Sequence, residues 1–332
     1  MLSSKWLHPF AIFTAASTFL LLIAGGLVHG TGSSLACPDW PLCHGQFLPK
    51  MENGVLFEHS HRLIAGSVAA LTWVLGLWLF FDKSSRALRP LAIAAPLMVM
   101  AQAVLGGLTV IYKLPKPITL SHLVLSMSFF SVLVVLAVRT RPGAREAEAA
   151  FEPLPRNRFD LRASVGLVCV AILGQVFLGG LVRHSMAGLA CTTIPDCFGS
   201  YWPGDSESAY SERIHMLHRY GAVTVALLVF AHAYLVVRRT PAGHPARKLA
   251  IAAPVLVLAQ ITLGILSVTS LLHLHTVTTH LAVGALLLAA HVTMWALLPG
   301  ARWGFATTLS SLPGSAPGSV AEPGAPTSSV TA

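Results

Sequence analysis

A chain of 332 residues that is 54% hydrophobic and only 11% charged is not a soluble domain, since such a domain carries roughly twice that charged fraction. Nor does the net charge of +9 mark a nucleic-acid binder. The cations are confined to short stretches between apolar runs, where membrane topology and anionic lipid account for them.

The apolar runs are about 20 residues long, the length that crosses hydrocarbon, and they lack the short alternation of a β-barrel. The chain therefore reads as an all-α polytopic membrane protein. Eight spans are expected at Phe10–Val28, His61–Phe81, Leu91–Ile111, Ile118–Val138, Ala163–Val182, Met216–Val237, Leu249–Thr269 and Val277–Leu297. Lys5 ahead of the first span and Ser34-Leu35-Ala36-Cys37 after it imitate a processed leader. The pattern returns as Gly188-Leu189-Ala190-Cys191 deep in the chain, so it belongs to a repeat and not to processing.

That repeat covers four spans. Arg89–Val110 and Arg247–Val268 share 14 of 22 positions without a gap, and Gly25-Gly26-Leu27-Val28 returns as Gly179-Gly180-Leu181-Val182. Pro96 and Pro254 fall at equivalent places inside spans, where neighbouring helices satisfy the freed carbonyls. The expected organisation is an N-terminal four-helix half (1–138), a cytoplasmic linker (139–162), a C-terminal four-helix half (163–298) and a disordered tail (299–332) whose composition cannot bury a core. With the N-terminus inside, 15 of the 22 Lys and Arg residues lie on the inner side, among them Arg145, Arg156, Arg158 and Arg302. This asymmetry favours both termini in the cytoplasm, and the expected location is a bacterial-type plasma membrane. The two long loops, 30–58 and 183–214, are then outside.

Chemistry concentrates where those loops meet the spans. Glu58-His59-Ser60-His61-Arg62 opens the second span, and His215-Met216-Leu217-His218-Arg219 opens the sixth. His122 follows His61 by 61 residues and His280 follows His218 by 62. Each of these histidines sits near the outer end of a span running inward, so each pair can present two imidazoles at similar depth. Imidazole is a standard heme ligand, and bundle cores are where such cofactors lie. A single interfacial His would be only a polar cap; four at repeat-related positions point to two hemes. His232 and His291 lie deeper on the same faces, but Leu75 and Leu133 occupy their places in the first half, so the duplication does not support an inner heme. The remaining histidines, His29, His44, His59, His184, His273 and His275, read as solvated. For Arg62 and Arg219 two readings stand, pairing with heme propionates and snorkelling to headgroups.

Cys37 and Cys43 are six residues apart, as are Cys191 and Cys197, and both pairs lie in outer loops where disulfides persist. Cys169, with no repeat partner, reads as a small core residue. Glu58 is the main asymmetry, because the same slot in the second copy holds His215. A carboxylate at a buried mouth is costly and usually functional. It can stabilise developing positive charge or accept a proton; capping the span or pairing with Arg62 is the plainer alternative.

The run Thr31-Gly32-Ser33-Ser34-Leu35-Ala36-Cys37-Pro38-Asp39-Trp40-Pro41-Leu42-Cys43, followed by Glu58-x-x-His61-Arg62 and the four-histidine duplication, resembles the heme A synthase family over residues 10–297. Ser34 stands where that family's pattern suggests Gly. The resemblance implies two four-helix bundles related by a pseudo-twofold axis. It implies that His61 and His122 hold heme O as substrate and that His218 and His280 hold a resident heme b. The implied reaction oxidises a ring methyl of heme O to a formyl, giving heme A for terminal oxidases. The implied partners are the heme O synthase that supplies the substrate, terminal oxidase assembly factors and an electron acceptor that the sequence does not specify, besides membrane lipid. Homo-oligomerisation is left open. The competing readings are a di-heme electron-transfer cytochrome with no chemistry on the porphyrin, and a repeat-built transporter. The transporter fits worse because these repeats are parallel and their polar residues cluster at the outer ends.

Overall fold

The computed structural model describes residues 4–143, 160–204 and 207–298. Arg145, Arg156, Arg158 and Arg302, most of the expected linker and the whole expected tail lie outside them. Among the described residues, eight helices are long and apolar enough to cross a membrane. They are α1 (Leu7–Gly30), α2 (Asn53–Phe81), α3 (Arg89–Ile111), α4 (Lys116–Arg139), α5 (Leu161–His184), α6 (Ala209–Arg239), α7 (Pro245–Thr269) and α8 (Leu274–Leu297). The all-α polytopic class is therefore what the chain adopts.

Local chemistry sets several of the ends. The Asp160 carboxylate caps α5 by accepting the N–H of Arg162 at 2.9 Å. The His244 ring caps α7 by accepting the Ala246 N–H at 3.1 Å, with Pro245 at the first helical position, where its missing N–H costs nothing. Burial holds His244 below its ordinary pKa, so the ring stays a neutral acceptor. Helices α3 and α7 end in the same two-residue left-handed turn, Lys113–Leu114 and Leu271–Leu272, with φ between 54° and 62°. Such a conformation costs an L-residue about 1–2 kcal/mol. The turns close with Leu114 N–H to Thr109 C=O (2.7 Å) and Leu272 N–H to Ser267 C=O (2.8 Å).

Packing repeats as faithfully as sequence. α1 to α4 pack in a ring, each against the next and α4 back on α1, and α5 to α8 do the same. α4–α8, α1–α8 and α4–α5 contacts join the rings, a pattern unchanged when the two copies are exchanged. The repeated Gly-Gly pair explains this join. A Cβ on Gly26 would lie 2.8 Å from Leu281 of α8, and one on Gly180 would lie 2.7 Å from Leu123 of α4. The second glycine of each pair thus seats a leucine of the other copy. Gly76 does similar work inside the first copy, where a Cβ would meet Ala92 C=O and Pro96 at 2.7 Å, so α2 crosses close to the proline of α3. Large apolar side chains such as Leu97, Val170, Leu227, Ile251 and Val255 remain exposed on the outer faces, the arrangement expected where lipid is the solvent.

Two helices depart from the expected spans. α2 begins at Asn53 and α6 at Ala209, about two turns before the apolar windows begin. Hydrophobicity alone stops at the Glu-His-Arg cluster, but those polar residues are buried in protein. His61 and His218 consequently lie well inside their helices, and Glu58 is in the second turn of α2 instead of at its N-cap.

Candidate functional site

The two outer loops are built alike. Each forms a disulfide, Cys37–Cys43 and Cys191–Cys197, and each cysteine pair is closed by a short bridge, Cys43 with Gln46 and Cys197 with Ser200. The Asp39 carboxylate accepts the N–H groups of His44 (2.6 Å) and Gly45 (2.8 Å), and the bond from Gly45 holds its pKa below the usual range. The Thr193 hydroxyl does the same for Phe198 N–H at 2.7 Å. In the chain-entropy view, closing so short a loop contributes about 2 kcal/mol. Cys191→Ser/Cys197→Ser is expected to lower the thermal midpoint of the purified protein by a few degrees; an unchanged midpoint would remove the disulfide from the account of stability.

Arg62 and Arg219 clamp these loops. Arg62 donates to the carbonyls of Asp39 (2.7 Å), Leu42 (2.5 Å) and Cys37 (3.2 Å), and to Glu58 Oε1 at 2.6 Å. Its four terminal N–H bonds are thereby taken up. Arg219 donates to the equivalent carbonyls of Thr193 and Asp196, both at 2.7 Å, and Cys191 at 2.6 Å. Propionate pairing and headgroup snorkelling both overlooked this duty. Its signal was in the sequence: a loop of duplicated shape with few side-chain donors of its own must find a donor elsewhere for its buried carbonyls.

Glu58 is 4% exposed. Its Oε2 accepts the Cys37 N–H at 2.8 Å. In the second copy, His215 Nδ1 accepts the Cys191 N–H at 3.4 Å. Both residues do the same structural task, so what distinguishes Glu58 is its charge and its ability to take a proton. A carboxylate offers about four lone-pair sites, of which these two bonds use only part. His59 was expected to be solvated; it is 3% exposed. It lies beside the first disulfide, with Nε2 2.9 Å from the Phe47 carbonyl. Met216, its counterpart, is fully buried against the second disulfide.

Below the loops lies a cavity of about 1810 Å³ lined by Glu58, His61 and His122 of the first copy and His215, His218 and His280 of the second. This exceeds the roughly 300–1,000 Å³ of a single small-molecule site. Every one of the four expected ligand histidines leans on a glycine. A Cβ on Gly25, Gly106, Gly179 or Gly264 would stand 3.2, 3.4, 3.0 or 3.2 Å from Cε1 of His61, His122, His218 or His280, respectively. The first glycine of each Gly-Gly pair thus makes room for a histidine ring, a role that the sequence repeat displayed without explaining. Glutamines fix the same segments. Gln102 donates to His122 C=O at 2.9 Å, and Gln175 donates to His218 C=O at 2.8 Å with its amide 3.0 Å from His218 Nδ1. In His280 the protein contact is on Nε2, 3.2 Å from Gln260 Nε2. Nδ1 of His61, His122 and His280 is buried without a hydrogen-bond partner.

The rings of His218 and His280 are 6.5 Å apart by centroid and steeply inclined. Two metal–imidazole bonds of about 2 Å each, together with the ring radii, span that gap, so these two rings could hold one iron between them. His232 and His291 do not border the cavity. His232 Nε2 is 2.9 Å from the Ser164 hydroxyl, and His291 Nδ1 is 2.8 Å from the Leu287 carbonyl. Cys169 is a free, partly buried thiol packed against the apolar cluster that includes Val165, Val168 and Val229.

The profile of the COX15-CtaA family, Cytochrome oxidase assembly protein, matches residues 8–55 and 50–292. The chain belongs to this family. Among the relatives of this COX15-CtaA chain is the Heme A synthase of Shewanella oneidensis, 29% identical over 320 residues, 85% of this chain and 93% of that protein. The Heme A synthase of Geobacillus kaustophilus is 29% identical over 285 residues, 84% of this chain and 86% of that protein. That of Alkalihalophilus pseudofirmus is 30% identical over 203 residues, 60% and 67% of the two chains.

Proposed function

We propose that this COX15-CtaA chain is a heme A synthase of the plasma membrane, with both termini cytoplasmic, that oxidises a ring methyl of heme O to a formyl. The observation that carries the reading is the single cavity flanked by two histidine pairs, one beside a carboxylate and the other beside a histidine. Family membership and the names of the relatives support it; the excess of inner cations supports the orientation.

In this reading residues 1–138 form the substrate half and residues 163–298 the cofactor half. His61 and His122 hold the iron of heme O, which fixes the macrocycle against rotation and sets its methyl groups at constant distances from the wall. His218 and His280 hold a heme b, which supplies one-electron redox chemistry. If water supplies the oxygen, the change is CH3 + H2O → CHO + 4 H⁺ + 4 e⁻, and an electron acceptor outside this chain must take all four electrons. Glu58 stands on the substrate side, where its carboxylate stabilises positive charge at the reacting carbon and accepts a proton as water adds. Arg62 holds that carboxylate in place through the 2.6 Å ion pair and keeps the loop over the cavity. Arg62 and Arg219 would meet propionates only through the N–H groups that the loops leave free.

Chromatography of pigment extracted from the protein, purified from cells that make heme O, tests the function. Heme b together with heme O or heme A is the expected result. Heme b alone, at two per chain, would instead establish a di-heme electron carrier.

A further inference from the structure

The two copies match closely around the histidines, yet one wall differs. The cavity reaches equivalent depth on three helix pairs: to Thr18 and Ile172 on α1 and α5, to Val99 and Val257 on α3 and α7, and to Phe129 and Leu287 on α4 and α8. On α6 it stops at Val225, but on α2 it continues past the matching residue to Ala69 and Ala70. Side-chain size accounts for the difference. Gly66, Ala70 and Ala103 line the cavity in the first copy, and the repeat places Val223, Leu227 and Ile261 at those positions in the second. The Gly66/Val223 and Ala103/Ile261 exchanges alone remove six side-chain carbon atoms from the first copy's α2–α3 wall, while Leu227, the counterpart of Ala70, is exposed on the outer face. A Cβ on Gly66 would meet nothing within 4 Å, so the space is open and not filled by a neighbour.

Resting on the function proposed above, we propose that this α2–α3 groove receives the long isoprenoid chain by which heme O differs from heme b. Gly66, Ala70 and Ala103 then decide which of two otherwise matching sites takes the substrate. The groove is apolar, as an isoprenoid requires, and each buried methylene of the chain favours binding. It opens from the cavity that His61 and His122 border, so a macrocycle fixed by its iron can send a substituent into it. In the second copy the bulkier Val223 and Ile261 line the wall at the corresponding place, and the cavity ends at Val225, which suits a macrocycle with short substituents.

The test transplants the second copy's residues into the first. Gly66→Val/Ala70→Leu/Ala103→Ile and each single substitution are purified with their resident heme b and titrated with heme O and, separately, with added heme b. His61→Ala/His122→Ala marks binding outside this site. The triple variant is expected to bind heme O at least roughly tenfold more weakly, since one or two methylenes in a pocket suffice for that, while its affinity for added heme b stays within threefold of the parent. Folding is read from the resident heme b spectrum. If the triple variant loses that spectrum, the single variants decide by the same criterion, Gly66→Val first because it enters open space. Heme O affinity within threefold of the parent would overturn the groove alone, as would equal weakening of heme O and heme b. A parent with no histidine-dependent site for heme O would overturn the proposed function, and the groove with it.

Discussion

His218→Ala and His280→Ala each leave the purified protein without its resident heme b, whereas His61→Ala and His122→Ala retain that heme and make no heme A. This is the expected outcome of dividing the four histidines between a cofactor and a substrate. The 6.5 Å ring separation of His218 and His280 suits one iron held between the two rings, so removing either ring would leave the heme with one protein ligand and weakly held through purification. The Gln175 amide, bonded to the His218 carbonyl at 2.8 Å, holds that segment before any heme arrives; its counterpart in the first copy is Leu21, which cannot do so. Optical spectra and extracted pigment measure both results. Loss of the resident heme b from a first-copy substitution alone would reverse the assignment.

Glu58→Gln is expected to leave both heme sites occupied and to reduce heme A formation by roughly 10²–10⁴-fold, the range that a positioned acid–base group contributes. Heme O or a hydroxylated intermediate should accumulate. The substitution is informative because the structural duty of Glu58 is mild and replaceable. An amide oxygen can still accept the Cys37 N–H, as His215 accepts the Cys191 N–H in the other copy. Arg62 loses its ion-pair partner but keeps three loop carbonyls, so the loop should stay in place. Glu58→His provides a second arm, since it installs the residue that the second copy already uses at this point. It is expected to fold and to be equally inactive. Heme A yields near the parent's from Glu58→Gln, with only a lower thermal midpoint, would assign Glu58 to holding the loop.

Membrane class, eight spans and the duplication were determined by the sequence alone, because each rests on features read along one dimension: apolar length, cation placement and identity at fixed spacing. The four histidines and both cysteine pairs were legible for the same reason, since a repeat marks its own shared positions. The starts of α2 and α6 were not, because an apolar window cannot tell a polar residue in water from one such as Glu58 buried against a loop. Tertiary structure also decided the work of Arg62 and Arg219, whose loop-carbonyl partners lie 20 to 28 residues away in sequence. It gave His59 its buried place against a disulfide. It separated the two glycines of each Gly-Gly pair, one cradling a histidine of its own copy and the next seating a leucine of the other. Identical residues in a repeat receive different neighbours only when the copies pack together. That is why the repeat could reveal these glycines but not divide their labour.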